Sequence, residues 1–355
     1  MRKILAPLAL LLTSVPAHAQ TPTPAGAAEG DAILKDFAFA SGEKLPELKM
    51  HYTTLGTPQR DAKGHVTNAV MILHGTGGTG KQFFQPQFAS ELFGRGQLLD
   101  TAKYYVILPD NIGHGGSSKP SDGLRMKFPQ YDYDDMVAAQ HRMLTEKLGV
   151  HKLKLILGTS MGCMHAFVWG TTRPGFAEKL APFACLPVEI AGQNRMWRTL
   201  SIDAIKADPR WQGGSYTSPP AAGLRTAASL SLIAGANPYA LQVQYPTREA
   251  AEKYKDEAFA RTYGRNDAND TIYQLDSSRT YNPWPLLEKI NVPTLWINSA
   301  DDFINPPAYG ITEQAASRMN TTKFILIPAS PETKGHGTHT WAKFWKDDLA
   351  KLMAE

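Results

Sequence analysis

The feature that most constrains the fold of this chain is a Gly-Thr-Ser-Met-Gly pentapeptide at residues 158–162, directly after an apolar run at residues 153–157. A strand that ends in Gly-x-Ser-x-Gly and continues as a helix makes a sharp turn, which projects the serine hydroxyl into a cleft at the top of the sheet. Glycine stands on both sides because a side chain there would collide with the neighbouring strand or helix. Residues 161–170 suit a helix. The pattern predicts a strand, a serine turn and a helix, with Ser160 as the candidate nucleophile.

Runs typical of strands and of helices alternate along most of the chain. The strand-like runs are residues 36–40, 48–54, 69–73, 104–108, 153–157, 180–186, 293–297 and 323–327. The clearest helical runs are residues 133–148, 161–170 and 341–352. This alternation predicts an α/β fold with a mostly parallel sheet and helices on both of its faces. The first two strand-like runs are expected to pair as a hairpin at one edge.

The pattern changes between residues 191 and 287, where helical stretches and Pro/Gly loops replace the strand-like runs. We predict a helical cap over residues 191–287, inserted into a sheet domain made of residues 31–190 and 288–355. A cap in this position would cover the cleft and select the substrate. Four cap aromatics are expected either to line the pocket or to form the cap core: Trp197, Trp211, Tyr239 and Tyr245.

The N-terminus has the three parts of a secretory signal. Two basic residues stand near the start, residues 4–15 are apolar but too few to span a bilayer, and an Ala-His-Ala cleavage site ends at Ala19. We therefore predict a signal peptide at residues 1–19, cleaved after Ala19, and a periplasmic or secreted protein. Residues 20–30 are rich in Pro, Ala, Thr and Gly and are expected to form a flexible leader.

The bulk composition argues against several other functions. The formal net charge is only +4, and basic residues form no block interleaved with aromatics, so we expect no nucleic-acid partner. No apolar stretch beyond the N-terminus is long enough to cross a membrane. His, Cys, Asp and Glu do not cluster at metal-ligand spacing, and no Gly-x-Gly-x-x-Gly opens a βαβ unit, so we expect neither a metal nor a cofactor. A glycine-rich loop at residues 75–80 precedes Lys81, but Gln82 replaces the hydroxyl that a phosphate-binding loop needs.

The chain has two cysteines, Cys163 and Cys185. In an oxidising compartment they could form a disulfide. They could also be two buried apolar residues, one on the helix after the serine turn and one on the next strand. We favour the second interpretation, because the sequence does not show whether their Cα atoms approach closely enough for a bridge.

A serine hydroxyl is a weak nucleophile at neutral pH and needs a neighbouring base, which an acid must orient. When a Gly-x-Ser-x-Gly turn carries the nucleophile, the acid and then the histidine follow later in the chain, each after a strand. Asp302 follows one predicted strand, and Asp301 is the alternative acid, with Asp302 then capping the next helix. His336 and His339 follow the last predicted strand. We favour His336 as the base, because its flanking glycines let the loop bring the imidazole to Ser160.

Acyl transfer through a tetrahedral intermediate also needs hydrogen-bond donors for the oxyanion. One donor is expected to be the backbone N–H of Met161, the residue after the nucleophile. The second is expected from the His-Gly-Thr-Gly-Gly loop that follows the strand-like run at residues 69–73. We choose the N–H of Thr76, with that of Gly77 as the alternative.

These residues resemble the α/β-hydrolase superfamily and, within it, the homoserine O-acetyltransferase-like branch. Residues 158–166 are similar to the branch pattern Gly-Gly-Ser-Met-Gly-Gly-Met-Gln-Ala. Residues 204–216 resemble its Ala-Ile-x-x-Asp-Pro-x-Trp-x-x-Gly-x-Tyr, and residues 302–307 resemble its Asp-x-Leu-Phe-Pro-Pro. The resemblance extends from the region of residue 36 to the C-terminus. It implies an α/β-hydrolase fold and Asp302 as the acid.

The chain departs from the transferase pattern at three points. The transferases carry an aspartate after the base that helps to hold the homoserine amine, and Gly337 stands there. Residues 111–120 resemble the Gly-His-Gly-x-Ser-x-Lys-Pro loop of α/β-hydrolase esterases rather than the transferase Asn-x-Leu-Gly-Gly-Cys. Acetyl-CoA is a cytoplasmic metabolite, whereas export is predicted.

We therefore expect an exported serine hydrolase that cleaves a carboxylic ester, or a related acyl bond, of a small-molecule substrate. The alternative is a homoserine O-acetyltransferase-like acyltransferase, in which an alcohol replaces water as the acceptor. A non-catalytic binding protein that kept the fold is the third interpretation, against which the complete set of Ser160, Asp302 and His336 in the expected order argues. The substrate and the oligomeric state, including a dimer, stay open.

Overall fold

The computed structural model describes residue 24, residues 26–262 and residues 266–355. The predicted signal peptide, residues 1–19, lies outside the described residues. The strands are β1 (Ala28–Ala38), β2 (Lys44–Leu55), β3 (Ala69–Leu73), β4 (Tyr105–Pro109), β5 (Leu155–Thr159), β6 (Leu180–Phe183), β7 (Thr294–Ser299) and β8 (Thr322–Ile327). They form an eight-stranded sheet in the order β1-β2-β4-β3-β5-β6-β7-β8.

The sheet is mostly parallel, as predicted. β1 pairs with β2 and β2 with β4 in antiparallel fashion, and the remaining neighbours are parallel. The edge hairpin starts earlier than expected, because residues 28–30, predicted as leader, already pair with β2. Period-two burial explains the longer strand: Ala32 and Leu34 are buried while Ile33 between them is exposed. The predicted leader is therefore three residues too long at its C-terminal end.

Helices cover both faces of the sheet. They are α1 (Pro86–Leu92), α2 (Tyr133–Arg142), α3 (Met161–Thr172), α4 (Gly192–Ala207), α5 (Ala221–Ala234), α6 (Pro238–Gln244), α7 (Arg248–Thr262), α8 (Ala268–Asp276), α9 (Ile311–Ser317) and α10 (Lys346–Ala354). Side chains of α2 and α3 share one buried cluster with Ile156 of β5, whereas α1 and α10 pack with Leu155 and Leu157 on the other face. Because both faces are covered, the central strands read as continuous apolar runs.

Between β6 and β7 the described part of the chain forms α4–α8 and contains no strand. These helices build a small core of their own around Ile205, Ala227 and Ile272. The boundary predicted at residue 287 is too late, because Tyr281 and Leu287 pack in the core of the sheet domain. The short 3-10 turn Trp284–Lys289 already leads the chain back toward β7. The inserted helical cap that the sequence predicts is otherwise present.

The two cysteines form a disulfide, so the favoured interpretation of two unpaired residues is wrong. Cys163 lies in the first turn of α3, and Cys185 lies two residues beyond β6, with a Cα–Cα distance of 5.9 Å. The strand predicted over residues 180–186 ends at Phe183 because Ala184 has a φ of +66° and turns the chain. This turn brings Cys185 against α3. In the described part of the chain, no helix has the length and apolarity that crossing a membrane requires.

Candidate active site

The candidate nucleophile occupies a strained turn. Ser160 lies between β5 and α3 with φ +55° and ψ −113°, a backbone conformation that residues other than glycine rarely adopt. A Cβ atom at Gly158 would lie 1.9 Å from the carbonyl oxygen of Gly162, and one at Gly162 would lie 2.1 Å from that of Leu73. The chain therefore tolerates only glycine at these two positions. The tight turn leaves the Ser160 side chain half-exposed at the edge of a cavity.

Three side chains from distant parts of the chain meet in a hydrogen-bonded row. The Ser160 hydroxyl lies 2.8 Å from Nε2 of His336, and Nδ1 of the same ring lies 2.8 Å from Oδ2 of Asp302. In the neutral imidazole, the serine donates to Nε2 while Nδ1–H donates to the carboxylate. His336 belongs to the short 3-10 helix Gly335–Thr340 after β8, and Asp302 follows β7. The structure thus brings together Ser160, His336 and Asp302.

The carboxylate of Asp302 is buried, and every contact it makes favours the charged form. Its Oδ1 accepts hydrogen bonds from the backbone N–H groups of Ile304 at 2.8 Å and Asn305 at 3.2 Å. Its Oδ2 accepts from the Asn305 side chain at 3.0 Å as well as from His336. Burial opposes ionisation, but His336 and these donors outweigh it and hold the pKa of Asp302 below its usual value. The carboxylate is therefore ionised at neutral pH.

The two alternative residues have other contacts. Asp301 accepts from the Thr333 hydroxyl at 2.8 Å and from the Gly335 N–H at 3.1 Å, so it fixes the loop that carries His336. His339 packs its ring against that of His336, with 5.2 Å between the ring centroids. Burial, together with the neighbouring His336, lowers the pKa of His339 to about 3, so this ring is neutral. Neither alternative contacts Ser160 through a hydrogen bond among the described residues.

The loop predicted to hold the oxyanion donors lies beside the serine. A Cβ atom at Gly75 would lie 3.2 Å from the Cβ of Ser160, so the loop backbone passes close to the nucleophile. Thr76 and Gly77 follow it along the cavity wall. Met161 occupies the first turn of α3, where a backbone N–H has no acceptor within the helix. Thr76 and Gly77 therefore border the cavity, and Met161 directly follows Ser160 in the chain.

Two neutral, buried histidines lie next to this loop, and one of them forms a hydrogen bond with it. His74 donates from Nδ1 to the Gly75 carbonyl at 2.8 Å and accepts at Nε2 from the Asn111 N–H at 3.0 Å. Burial lowers the pKa of His74 to about 4, and burial with the adjacent His74 lowers that of His114 to about 3. Asp110 accepts the Gly80 N–H at 2.8 Å. The esterase-like loop at residues 111–120 thus shapes the oxyanion loop.

A cavity of about 570 Å³ opens over Ser160 and His336, between the sheet domain and the cap. Its walls are mostly apolar, with Leu224, Leu275 and Ile304 among the side chains that line it. Of the four cap aromatics, Trp197 lines the cavity, while Trp211 packs at the cap core and donates to Asn269. Tyr239 is largely exposed, and Tyr245 stacks on Tyr254. No cluster of metal-ligand side chains was found among the described residues.

Three residues at the site were not singled out from the sequence, or were given another role. Asn305 contacts Asp302, Asp301 holds the His336 loop, and Arg198 lines the cavity. The first two depend on contacts across loops that sequence spacing does not reveal. Arg198 did leave a signal in the sequence, because no acidic residue stands three or four positions away on its helix to pair with it.

The fold and the row of serine, histidine and aspartate define a class of protein: an α/β enzyme with a serine-centred site beneath a helical cap. A family model described as alpha/beta hydrolase fold matches residues 68–330. A homoserine O-acetyltransferase of Chlorobaculum parvum is 30% identical over 257 residues, which cover 68% of this chain and 67% of that protein. A probable acyltransferase of Methanothermobacter thermautotrophicus is 29% identical over 276 residues, or 77% of this chain and 82% of that protein. The chain therefore belongs to the α/β-hydrolase superfamily, in its homoserine O-acetyltransferase-like branch, as its sequence motifs indicate.

Solved structures with the same fold carry both kinds of activity in their names. A homoserine O-acetyltransferase from Bacillus anthracis matches with a TM-score of 0.80 and 20% identity, over 93% of this chain and 98% of that one. The acetyl esterase MekB matches with a TM-score of 0.80 and 23% identity, over 92% of this chain and 97% of that one. At these identities the likeness concerns the fold alone. Esterases and acetyltransferases thus share this architecture.

Proposed function

We propose that this chain is an exported serine hydrolase that cleaves a carboxylic ester, or a related acyl bond, through an acyl-enzyme. The observation that carries the proposal is the row of hydrogen bonds from Ser160 through His336 to Asp302, at 2.8 Å each, beside a largely apolar cavity. A nucleophile, a base and an orienting acid in these positions are what acyl transfer by serine requires.

In the proposed first half-reaction, Ser160 Oγ attacks the substrate carbonyl carbon while His336 Nε2 takes the hydroxyl proton. Ionised Asp302 stabilises the resulting imidazolium and keeps its orientation. The carbonyl oxygen becomes an oxyanion, which accepts hydrogen bonds from the N–H groups of Met161 and Thr76. The bond to the alcohol oxygen then breaks, and the alcohol leaves with the proton from His336.

In the second half-reaction, water attacks the acyl carbon and His336 again takes the proton. The tetrahedral intermediate collapses, Ser160 Oγ recovers the proton, and the carboxylic acid leaves. Acyltransferases differ only in the acceptor, since an alcohol takes the place of water. Gly337 favours water, because the aspartate that holds the homoserine amine in the resembled transferases is missing.

The first experiment measures turnover of p-nitrophenyl acetate by the purified mature protein and by Ser160→Ala. We expect the variant to lose kcat by about 10⁴-fold or more, because the nucleophile is removed. Ser317→Ala, at an exposed serine far from the cavity, is the matched control and should keep the activity. A fluorophosphonate probe should label the wild-type protein and not Ser160→Ala. Equal turnover by the wild type and Ser160→Ala would disprove the proposal.

The acyltransferase alternative is supported by the names of the related proteins and has its own test. Gly337→Asp restores the missing carboxylate, and a Cβ at this position is accommodated, since the nearest atom is 3.6 Å away. With acetyl-CoA and homoserine, we expect no transfer by the wild type and a measurable rate in the variant. Efficient transfer by the wild type, faster than hydrolysis, would replace the hydrolase proposal by the alternative.

Export forms part of the proposal and rests on the predicted signal at residues 1–19. The disulfide between Cys163 and Cys185 supports it, because disulfides persist mainly in oxidising compartments. Expression of the full chain in a Gram-negative host, followed by mass spectrometry of the periplasmic fraction, should find a protein that begins at Gln20. A cytoplasmic protein that retains residues 1–19 would contradict export.

A further inference from the structure

The active-site cavity contains one feature that cleavage of a simple ester does not use. Its described lining residues are apolar or neutral with a single exception, because Arg198 of α4 is the one formally charged side chain among them. The whole residue is only 2% exposed. A positive charge is therefore part of the wall of an otherwise uncharged cavity, which is also lined by Ser160 and His336.

The guanidinium of Arg198 is held in place without being neutralised. Its Nε donates to Oδ1 of Asn194 at 3.0 Å, and the group lies 4.9 Å from the ring centroid of Trp197. Tyr133 also favours its charge. Nη1 is buried and has no hydrogen-bond partner, and no carboxylate of the described residues forms an ion pair with Arg198. The side chain is thus oriented by neutral groups alone.

A buried charge without a counter-ion is unfavourable, and buried arginines are normally paired. Burial lowers the pKa of Arg198, but a guanidinium stays protonated at neutral pH. Its neighbour Arg195, one turn earlier on α4, shows the usual solution: it pairs with Asp276 at 2.9 Å. The contrast between the two arginines on one helix indicates that the partner of Arg198 is not among the described residues.

We propose that the substrate is an ester that bears a carboxylate away from the scissile bond, and that Arg198 binds this carboxylate. The inference rests on the proposed hydrolase function and narrows its substrate class to half-esters of dicarboxylic acids and esters of similar charge. A carboxylate is the anion that matches the planar donors of a guanidinium, and the apolar walls accommodate the methylene chain between the two groups.

The experiment compares p-nitrophenyl half-esters of succinate, glutarate and adipate with neutral p-nitrophenyl esters of equal chain length. We expect the wild type to show a kcat/KM at least about tenfold higher for the best half-ester than for its neutral counterpart. Arg198→Met should reduce kcat/KM for that half-ester by about 10- to 100-fold, mainly through KM, and leave the neutral ester nearly unchanged. Arg198→Lys, which keeps the charge, should recover part of the loss.

Arg195→Met is the matched control, because it removes a paired arginine of the same helix that does not line the cavity. This variant should not alter the ratio of kcat/KM for the half-ester to kcat/KM for the neutral ester. The proposal is overturned if the wild type has a higher kcat/KM for every neutral ester than for its half-ester. It is also overturned if Arg198→Met lowers kcat/KM equally for both substrates, because that would indicate a structural role. The wild-type comparison needs no folded variant. Failure of the proposed function would look different, since then no ester would be cleaved in a Ser160-dependent way.

Discussion

Asn305 connects the acid of the site to the segment beside the nucleophile. Its side-chain amide donates to Oδ2 of Asp302 at 3.0 Å and to the carbonyl of Ala184 at 3.1 Å. The neighbouring carbonyl, that of Phe183, accepts the backbone N–H of Ser160 at 2.9 Å. One amide group therefore ties Asp302 to Ala184, the residue next to Phe183, whose carbonyl holds the Ser160 backbone. We regard Asn305 as a positioning residue for the candidate acid.

We predict that Asn305→Ala lowers kcat by about 10- to 100-fold with little change in KM. The reason is that a small displacement of Asp302, the candidate acid, would greatly slow the reaction. The lost donor also leaves the buried Ala184 carbonyl without this partner. Steady-state kinetics on p-nitrophenyl acetate test the split between kcat and KM. Asn320→Ala, at an exposed asparagine after α9, is the control. An unchanged kcat in Asn305→Ala would show that Asp302 is held well enough without the amide.

At the residue scale, the sequence predicted those site residues whose role is local. Ser160 and Met161 follow from a five-residue pattern, and His336 follows from its place after the last strand. Asp301 could not be excluded as the acid from sequence, because its real contacts, with Thr333 and Gly335, lie more than thirty positions away. Asn305 was missed because its contact with Ala184 joins residues 121 positions apart, whereas Arg198 left only one signal, the lack of an acidic residue at helical spacing.

At the scale of elements, the disulfide joins the nucleophile helix to the turn after β6. Cys163 lies in α3, and Cys185 follows Phe183 and Ala184, whose carbonyls receive Ser160 and Asn305. The Cys185 carbonyl also accepts from Trp296 at 3.0 Å. The bridge therefore fixes a segment that contacts both Ser160 and Asn305, the residue that bonds Asp302.

Reduction of this disulfide is predicted to lower both stability and kcat. The loop it closes spans 22 residues, for which the chain-entropy model gives about 3 kcal/mol of free energy of unfolding. The loss of kcat is expected because residues 183–185 then hold Ser160 and Asn305 less firmly. Urea unfolding and steady-state kinetics, with and without reductant, measure both effects. The Cys163→Ser/Cys185→Ser variant should reproduce them without reductant and should not respond to it. A reduced wild type with unchanged kcat would contradict the positioning role.

The elements that sequence predicted well are those buried on both faces. β3, β4 and β5 appear within one or two residues of their apolar runs, because a strand covered by helices on both sides has apolar residues at every position. β1 was placed too late, since only alternate residues of an edge strand are buried. The sequence did not predict the disulfide, because the turn that brings the cysteines together occurs at Ala184, and an alanine does not indicate a turn.

At the scale of the whole molecule, three fully buried histidines couple stability to pH. His74 bonds to Gly75 in the loop predicted to hold the oxyanion donors, His114 packs against His74, and His165 lies in α3. Burial lowers the pKa of His74 to about 4, that of His114 to about 3, and that of His165 well below its usual value. The unfolded chain titrates these rings near pH 6.5. Below about pH 6.5 the unfolded state therefore binds more protons than the folded state.

The contribution of these three rings to stability is fully present above about pH 6.5 and falls as the pH decreases toward 4, where His74 takes up a proton in the folded state. Each such ring adds a slope of up to about 1.4 kcal/mol per pH unit to the free energy of unfolding within this window. Asp302 lowers the free energy of unfolding further only below about pH 4. Its pKa is lowered in the folded state, so that in this range its carboxyl is protonated in the unfolded chain before it is protonated in the folded one.

Urea unfolding at about pH 7.5, 6 and 5 measures this dependence. His114→Gln removes one titrating ring while its amide can still donate to the Ile112 carbonyl, which His114 contacts at 2.9 Å. We predict that the variant loses some stability at pH 7.5 but has a shallower decline between pH 6 and 5 than the wild type. His151→Gln, at an exposed histidine, should leave the slope unchanged. If the free energies of unfolding of the wild type and His114→Gln decline in parallel, the pKa of His114 is not lowered in the folded state. The region around His114 is then more open to water than the burial of its ring implies.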